Sequence, residues 1–164
     1  MKPIPIKPQP GQESVWDYPR PAILEDTNKQ IKVIYNDLIL AETTRGKRVL
    51  ETSHPPVYYI PAADVRLEHL IETSQRTWCE WKGWCQYYDV SVGDQYVSAA
   101  VWRYFEPTPN FVSIQEYYSF YARLMDACFI NDELVIPQPG DFYAGWITAD
   151  IVGPFKGEPG TRGW

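Results

Sequence analysis

Cysteine and histidine are scarce in this chain of 164 residues: Cys79, Cys85 and Cys128 are the only cysteines, and His54 and His69 the only histidines. An odd cysteine count with no C-x-x-C pair argues against a disulfide framework and against a four-cysteine zinc site, so neither a metal nor a cofactor is expected. No apolar run approaches the roughly 20 residues that a membrane-spanning helix needs. The opening MKPIPIKPQP sets four prolines where a signal peptide would carry its apolar helix, so a soluble, cytoplasmic protein without a membrane partner is expected. Basic residues are also few, 15 against 21 acidic, and the net charge of -6 repels polyphosphate, which excludes nucleic acid as the expected partner.

Signature motifs are missing too. There is no G-x-G-x-x-G, G-x-S-x-G, H-E-x-x-H or EF-hand loop. The nearest approach to a P-loop, Gly153 to Thr161 (GPFKGEPGT), lacks the Gly-Lys-Ser/Thr step and reads as a run of tight turns. Two histidines are too few to assign a Ser-His-acid triad by spacing.

Aromatic residues, by contrast, abound: 7 Trp, 12 Tyr and 6 Phe make up 15% of the chain. Prolines are frequent over residues 1–21, which predicts an extended arm anchored by Val15, Trp16 and Tyr18. Residues 137–164 mix glycine and proline with large apolar groups and read as an ordered, irregular strap packed on the same domain. Between them, residues 22–136 carry three hairpin signals. Asn36-Asp37, Gly93-Asp94 and Asn131-Asp132 each sit between apolar runs and tolerate the positive φ of a two-residue turn. In the first hairpin Tyr35 should face Leu38, and Val33 should face Leu40. Further strands are expected at Arg48 to Glu51 and Val57 to Ile60. Ser113 and Glu116 fit a capping box, and Ile114, Tyr117, Tyr118, Tyr121, Leu124 and Met125 recur at helical spacing, so a helix is expected there. A second, shorter helix is expected from Asp64, burying Leu67, Leu70 and Ile71. The expected fold is mainly β: a small antiparallel two-sheet domain, tent-like or sandwich-like, with one or two short helices.

Three clusters could carry chemistry. In Glu51 to Tyr59 (ETSHPPVYY), proline holds His54 in extended backbone, and Glu51 three residues earlier could polarise its imidazole; the plainer reading has His54 stacking on Pro or Tyr. In Trp78 to Asp89 (WCEWKGWCQYYD), Gly83 predicts a bend with φ > 0 that displays Lys82 among indoles. Lys82 is then a desolvated base, a cation-π partner, or a surface lysine with a packed stem. Cys79 is either inert or a thiolate helped by Lys82. In Ala99 to Tyr104 (AAVWRY), small residues beside Trp102 leave space above the sheet, and Arg103 on the other face either finds an acidic partner or grips an anion at a pocket rim.

Taken in order, ESVWDYPRP, ETSHPPVYYIPAADV, CEWKG, YYDV, AAVWRY, QPGDFYAGWIT and IVGPFKG resemble the bacterial family called domain of unknown function 427, in a longer form that includes the strap. The resemblance implies two antiparallel sheets leaning together. A nucleotidyltransferase label goes with the family, but the Gly-Ser step and paired strand carboxylates of metal-dependent nucleotidyl transfer are not found in this sequence.

Two functions are therefore expected, in order. The first is a small-molecule-binding β domain with a pocket of Tyr58, Trp81 and Trp102 and with Glu51, His54, Lys82 and Arg103 as polar groups. Its chemistry would be metal-independent acid-base catalysis by Glu51 and His54, with Lys82 or Arg103 stabilising negative charge. The alternative is a non-catalytic interaction module, a homodimer for instance, that uses the arm and strap.

Overall fold

The computed structural model describes residues 2–164. Their strands are β1 (Glu13–Ser14), β2 (Ile23–Asp26), β3 (Ile31–Tyr35), β4 (Leu38–Thr43), β5 (Lys47–Leu50), β6 (Val57–Pro61), β7 (Leu70–Cys79), β8 (Gly83–Val92), β9 (Gln95–Pro107), β10 (Tyr117–Phe120), β11 (Ala127–Ile130), β12 (Glu133–Leu134), β13 (Ile136–Pro137), β14 (Trp146–Ile147) and β15 (Ile151–Val152). Seven form one antiparallel sheet in the order β2-β5-β6-β10-β9-β8-β7, and four form a second, β12-β11-β3-β4. The two sheets enclose the main core, where Ile31, Val33, Leu40 and Ile130 of the small sheet meet Ile60, Val90, Val101 and Phe120 of the large one. The domain is mainly β with short 3-10 turns, as the hairpin signals require. No helix among the described residues is long and apolar enough to cross a membrane.

All three hairpins turn where the sequence places them. Asn36, Asp37, Asn131 and Asp132 have φ between 48° and 67°, the left-handed values that amide and carboxylate side chains tolerate. Register in the first hairpin differs from expectation past Tyr35–Leu38. Val33 pairs with Ala41 and Ile34 with Ile39, so Leu40 is an extra residue, and this bulge lets both Leu40 and Ala41 enter the core.

Neither helix forms. The stretch expected as a helix from Ser113 to Met125 is instead a 3-10 turn over Pro109–Ile114, strand β10, and another 3-10 turn over Ala122–Leu124. The aromatic residues that mimic a helical stripe suit a strand equally well. β10 fills the slot between β6 and β9, whose facing edges would otherwise stand unpaired, and the hydroxyl of Ser119 donates to the Tyr58 carbonyl at 2.8 Å. The stretch from Asp64 gives only single 3-10 turns at Ala62–Asp64 and Leu67–His69, after which Leu70 and Ile71 open β7. Asp64 is drawn away by Thr43 Oγ1, which donates to it at 2.6 Å, and by Arg45.

Arm and strap meet each other on the body. β1 pairs in parallel with β15, and the Ile6 amide donates to the Gly153 carbonyl at 2.9 Å. Val15 and Tyr18 are buried against Leu50 and Ile151. Arg48, itself buried, binds Glu13 of the arm through two hydrogen bonds of 2.9 and 2.8 Å and Glu25 of β2 through a third of 2.7 Å.

Candidate functional site

The large sheet has a second apolar face, turned away from the small sheet, and aromatic rings dominate it. Tyr59 lies edge-on to Trp102, 6.5 Å between centroids, and is equally far from Tyr104; Trp102 stacks on Tyr121 at 4.6 Å. Cys85, Phe111 and Ile114 complete the buried part, with Cys79, Tyr87 and Ala144 at its margin. Burial drives the Tyr59 and Tyr104 phenols far above the usual phenol range and pushes the Cys85 thiol up to about 12, so none of these ionises near neutrality.

Polar groups gather beside this layer. The β5–β6 connection turns through Ser53, fully buried at φ 73°, and presents Glu51 and His54 together, with His54 Nε2 3.8 Å from a Glu51 carboxylate oxygen. Gln138 fixes the imidazole from the other side. Its Oε1 accepts from the Gly145 amide at 3.0 Å, which orients the side chain so that Nε2 donates to the Lys156 carbonyl at 2.8 Å and to His54 Nδ1 at 3.1 Å. Nδ1 must then be the bare nitrogen, and the proton of neutral His54 sits on Nε2, toward Glu51.

Charge enforces the same state. Burial first, then the positive charges of Lys156, Lys82 and Arg20, lower the His54 pKa to about 4. The Tyr143 ring packs on the imidazole at 5.2 Å and carries the Lys156 ammonium 5.8 Å from its centroid. Lys82, displayed by the Gly83 bend (φ 108°), reaches over the Tyr104 ring at 5.9 Å, so its cation-π partner is a phenol ring rather than an indole. A Cβ at Gly83 would collide with the Glu106 carbonyl oxygen, so the bend requires glycine. Three cations thus lie within electrostatic reach of one histidine, alongside the Glu51 carboxylate.

The sequence-based candidates divide between the two faces. Glu51 and Lys82 each come into electrostatic reach of His54, and Trp102 lies in the aromatic layer beside them. Trp81 lines a neighbouring cleft of about 340 Å³ with Pro21, Ala22, Thr108 and Phe111. Tyr58 and Arg103 do not join them. Alternation turns Tyr58 into the core between the sheets, where its ring packs on Trp146 at 5.4 Å, and puts Tyr59 on the aromatic face in its place. Arg103 sits on the side opposite Trp102, donating to the Gln115 carbonyl at 3.0 Å beside Tyr118 and Glu116. Missing from the expected set were Arg20, Tyr59, Gln138, Tyr143 and Lys156. The motifs YPRP, QPGDFY and GPFKG contain four of these residues, but nothing local in them points to His54.

No curated protein matches the chain. The family model described as "Domain of unknown function (DUF427)" matches residues 23–131, which include Glu51, His54 and Lys82 but leave out Arg20, Gln138, Tyr143 and Lys156. With about two thirds of its length covered, the chain belongs to the DUF427 family.

Proposed function

We propose that this protein binds a small organic anion beside the aromatic face of its large sheet, with Lys82, Lys156 and Arg20 supplying the positive field. The observation that carries this reading is the cluster around His54, where Gln138 Nε2 donates to Nδ1 at 3.1 Å and the charges of Lys156, Lys82 and Arg20 reach the imidazole. Such a cluster repels cations and offers an anion the positive charge of three side chains. Aromatic walls with a few converging polar groups are the common form of a small-molecule site.

If the bound anion also reacts, the roles follow from the hydrogen bonds. With its Nδ1 lone pair engaged by Gln138, His54 is a hydrogen-bond donor rather than a base. Glu51, 3.8 Å from Nε2, is then the group that takes or returns a proton, and Lys82 stabilises negative charge that develops nearby. The reading as an arm-and-strap interaction module has less support, because β1 and β15 satisfy each other within one chain.

Thermal denaturation of the full chain against a panel of carboxylates, sulfonates and phosphate esters tests the proposal. A ligand at a hundredfold excess over its Kd should raise Tm by about 5–10 °C. The shift should vanish in Lys82→Ala. A panel in which no anion raises Tm would overturn the proposal.

A further inference from the structure

A cleft of about 530 Å³ lies between the arm and the β2 edge of the large sheet, lined by Glu13 of β1, Glu25 and Asp26 of β2, Arg48 of β5 and the β2–β3 connection as far as Lys29. None of these residues is among those that hold or charge His54. Register builds its floor. Glu25 pairs with Arg48 and Arg48 with Tyr58 across β2, β5 and β6, so three side chains stand in one row on one face. The cations here are already engaged: Arg48 by Glu13 and Glu25, Lys29 by Asp150 at 2.7 Å, and Lys47 by Asp26. Acceptors are left over. Among the described residues Glu25 accepts only through Oε1 and Asp26 only through Oδ1, which leaves Glu25 Oε2 and Asp26 Oδ2 open. At the inner end of the row Tyr58 is 1% exposed, and its hydroxyl has no partner among the described residues, although Arg48, Glu13 and Asp150 are near enough to act on its ionisation. A buried hydroxyl without a partner, beside an arginine shared between two carboxylates, marks a hydrogen bond that the chain alone leaves unmade.

From this juxtaposition we infer that the cleft binds a small primary ammonium compound, whose N–H groups donate to the Glu25 and Asp26 carboxylates. The site is separate from the organic-anion site and does not rest on it. Three carboxylates against two cations line the cleft, and a chain of net charge -6 draws a cation toward it. An anion finds no free cation there. Nor do three His, Cys, Asp or Glu side chains converge among the described residues in a way that could hold a metal ion. An ammonium meets both leftover acceptors with charge-assisted hydrogen bonds. It also replaces Arg48 Nε at Glu25, and Arg48, still held by Glu13 through two bonds, turns to donate to the Tyr58 oxygen. Binding thus completes the one hydrogen bond missing from the row.

Titration of the full chain with 1-aminobutane, tetramethylammonium and 1-butanol, followed by backbone amide NMR shifts, tests the assignment. The three probes are of comparable size, but only 1-aminobutane, protonated at neutral pH, carries both a charge and N–H donors. It should bind about tenfold more tightly than either of the others, with the shifts centred on Glu25, Asp26 and Arg48. Glu25→Gln keeps an acceptor for Arg48 but removes the charge, and should weaken 1-aminobutane about tenfold. Tyr58→Phe removes the oxygen to which Arg48 turns and should weaken it about threefold. Its Tm should stay that of the parent chain, because the free chain loses no hydrogen bond. Should Glu25→Gln lower the thermal midpoint, Asp26→Asn, at a largely exposed side chain, carries that arm of the test. Equal affinity for tetramethylammonium would reduce the cleft to a diffuse negative surface, equal affinity for 1-butanol would make charge irrelevant, and either would overturn the inference. So would the absence of 1-aminobutane binding, or an affinity unchanged in Tyr58→Phe or in the carboxylate variant.

Discussion

The two faces of the seven-stranded sheet are built from the same strands and differ in kind. The face against the small sheet is packed by aliphatic side chains together with Phe120 and the tyrosines Tyr58, Tyr88 and Tyr118. The opposite face alternates with it residue by residue, Tyr59 against Tyr58 and Trp102 against Val101, and is aromatic, sulfur-containing and bordered by His54 and Lys82. One face holds the fold together by burial alone. The other is buried too, but it carries groups whose charge state depends on their surroundings. A strand's period of two lets one sequence serve both demands at once.

The sharpest way to break this comparison is truncation on the first face. Phe120 is fully buried between the sheets, and Phe120→Ala should cost about 3–5 kcal/mol from lost transfer energy and an unfilled cavity, read as a fall in the urea midpoint. A cost below about 1 kcal/mol would show that the inter-sheet face is not the structural one.

The next effect belongs to the second face and depends on pH. Because His54 titrates near 4 in the folded chain and near 6.5 when unfolded, the unfolded state takes up the proton first as pH falls. Stability from this group is complete above about 6.5 and is lost between about 6.5 and 4, at most about 3 kcal/mol. Replacing Gln138 by Ala should move the His54 titration, followed by imidazole proton shifts, back toward the ordinary value and flatten that dependence. An unshifted titration in Gln138→Ala would mean that burial and the three cations alone set the histidine's state.

The smallest effect on stability is expected at Lys82. Lys82→Ala should leave the urea midpoint within about 0.5 kcal/mol while removing the response to organic anions. Losing several kcal/mol instead would make Lys82 a structural residue and blur the distinction between the faces.

Local chemistry explains which features were legible. Asn36-Asp37, Gly93-Asp94 and Asn131-Asp132 impose their turns through φ, and Gly83 bends the Trp-Lys-Gly segment for the same reason. Glu51 and His54 are three residues apart on one connection, a spacing that allows their contact, while the stacking of His54 on Tyr143 joins residues far apart in the chain. The helix expected from Ser113 to Met125 did not form because the competing partner is distant in sequence. β6 and β9 offer backbone pairing that no local pattern reveals.

The sequence by itself determined a mainly antiparallel β domain, its hairpin turns and the glycine bend under Lys82, all of them properties of neighbours along the chain. Only the tertiary structure decided that Tyr59 rather than Tyr58 joins the aromatic face, that Arg103 lies across the sheet, and that Gln138, Lys156 and Arg20 close around His54. Gln138 stands 84 residues from His54 in sequence. A contact made over that distance is selected by how the sheets fold around their core, which the spacing of residues along a chain does not encode.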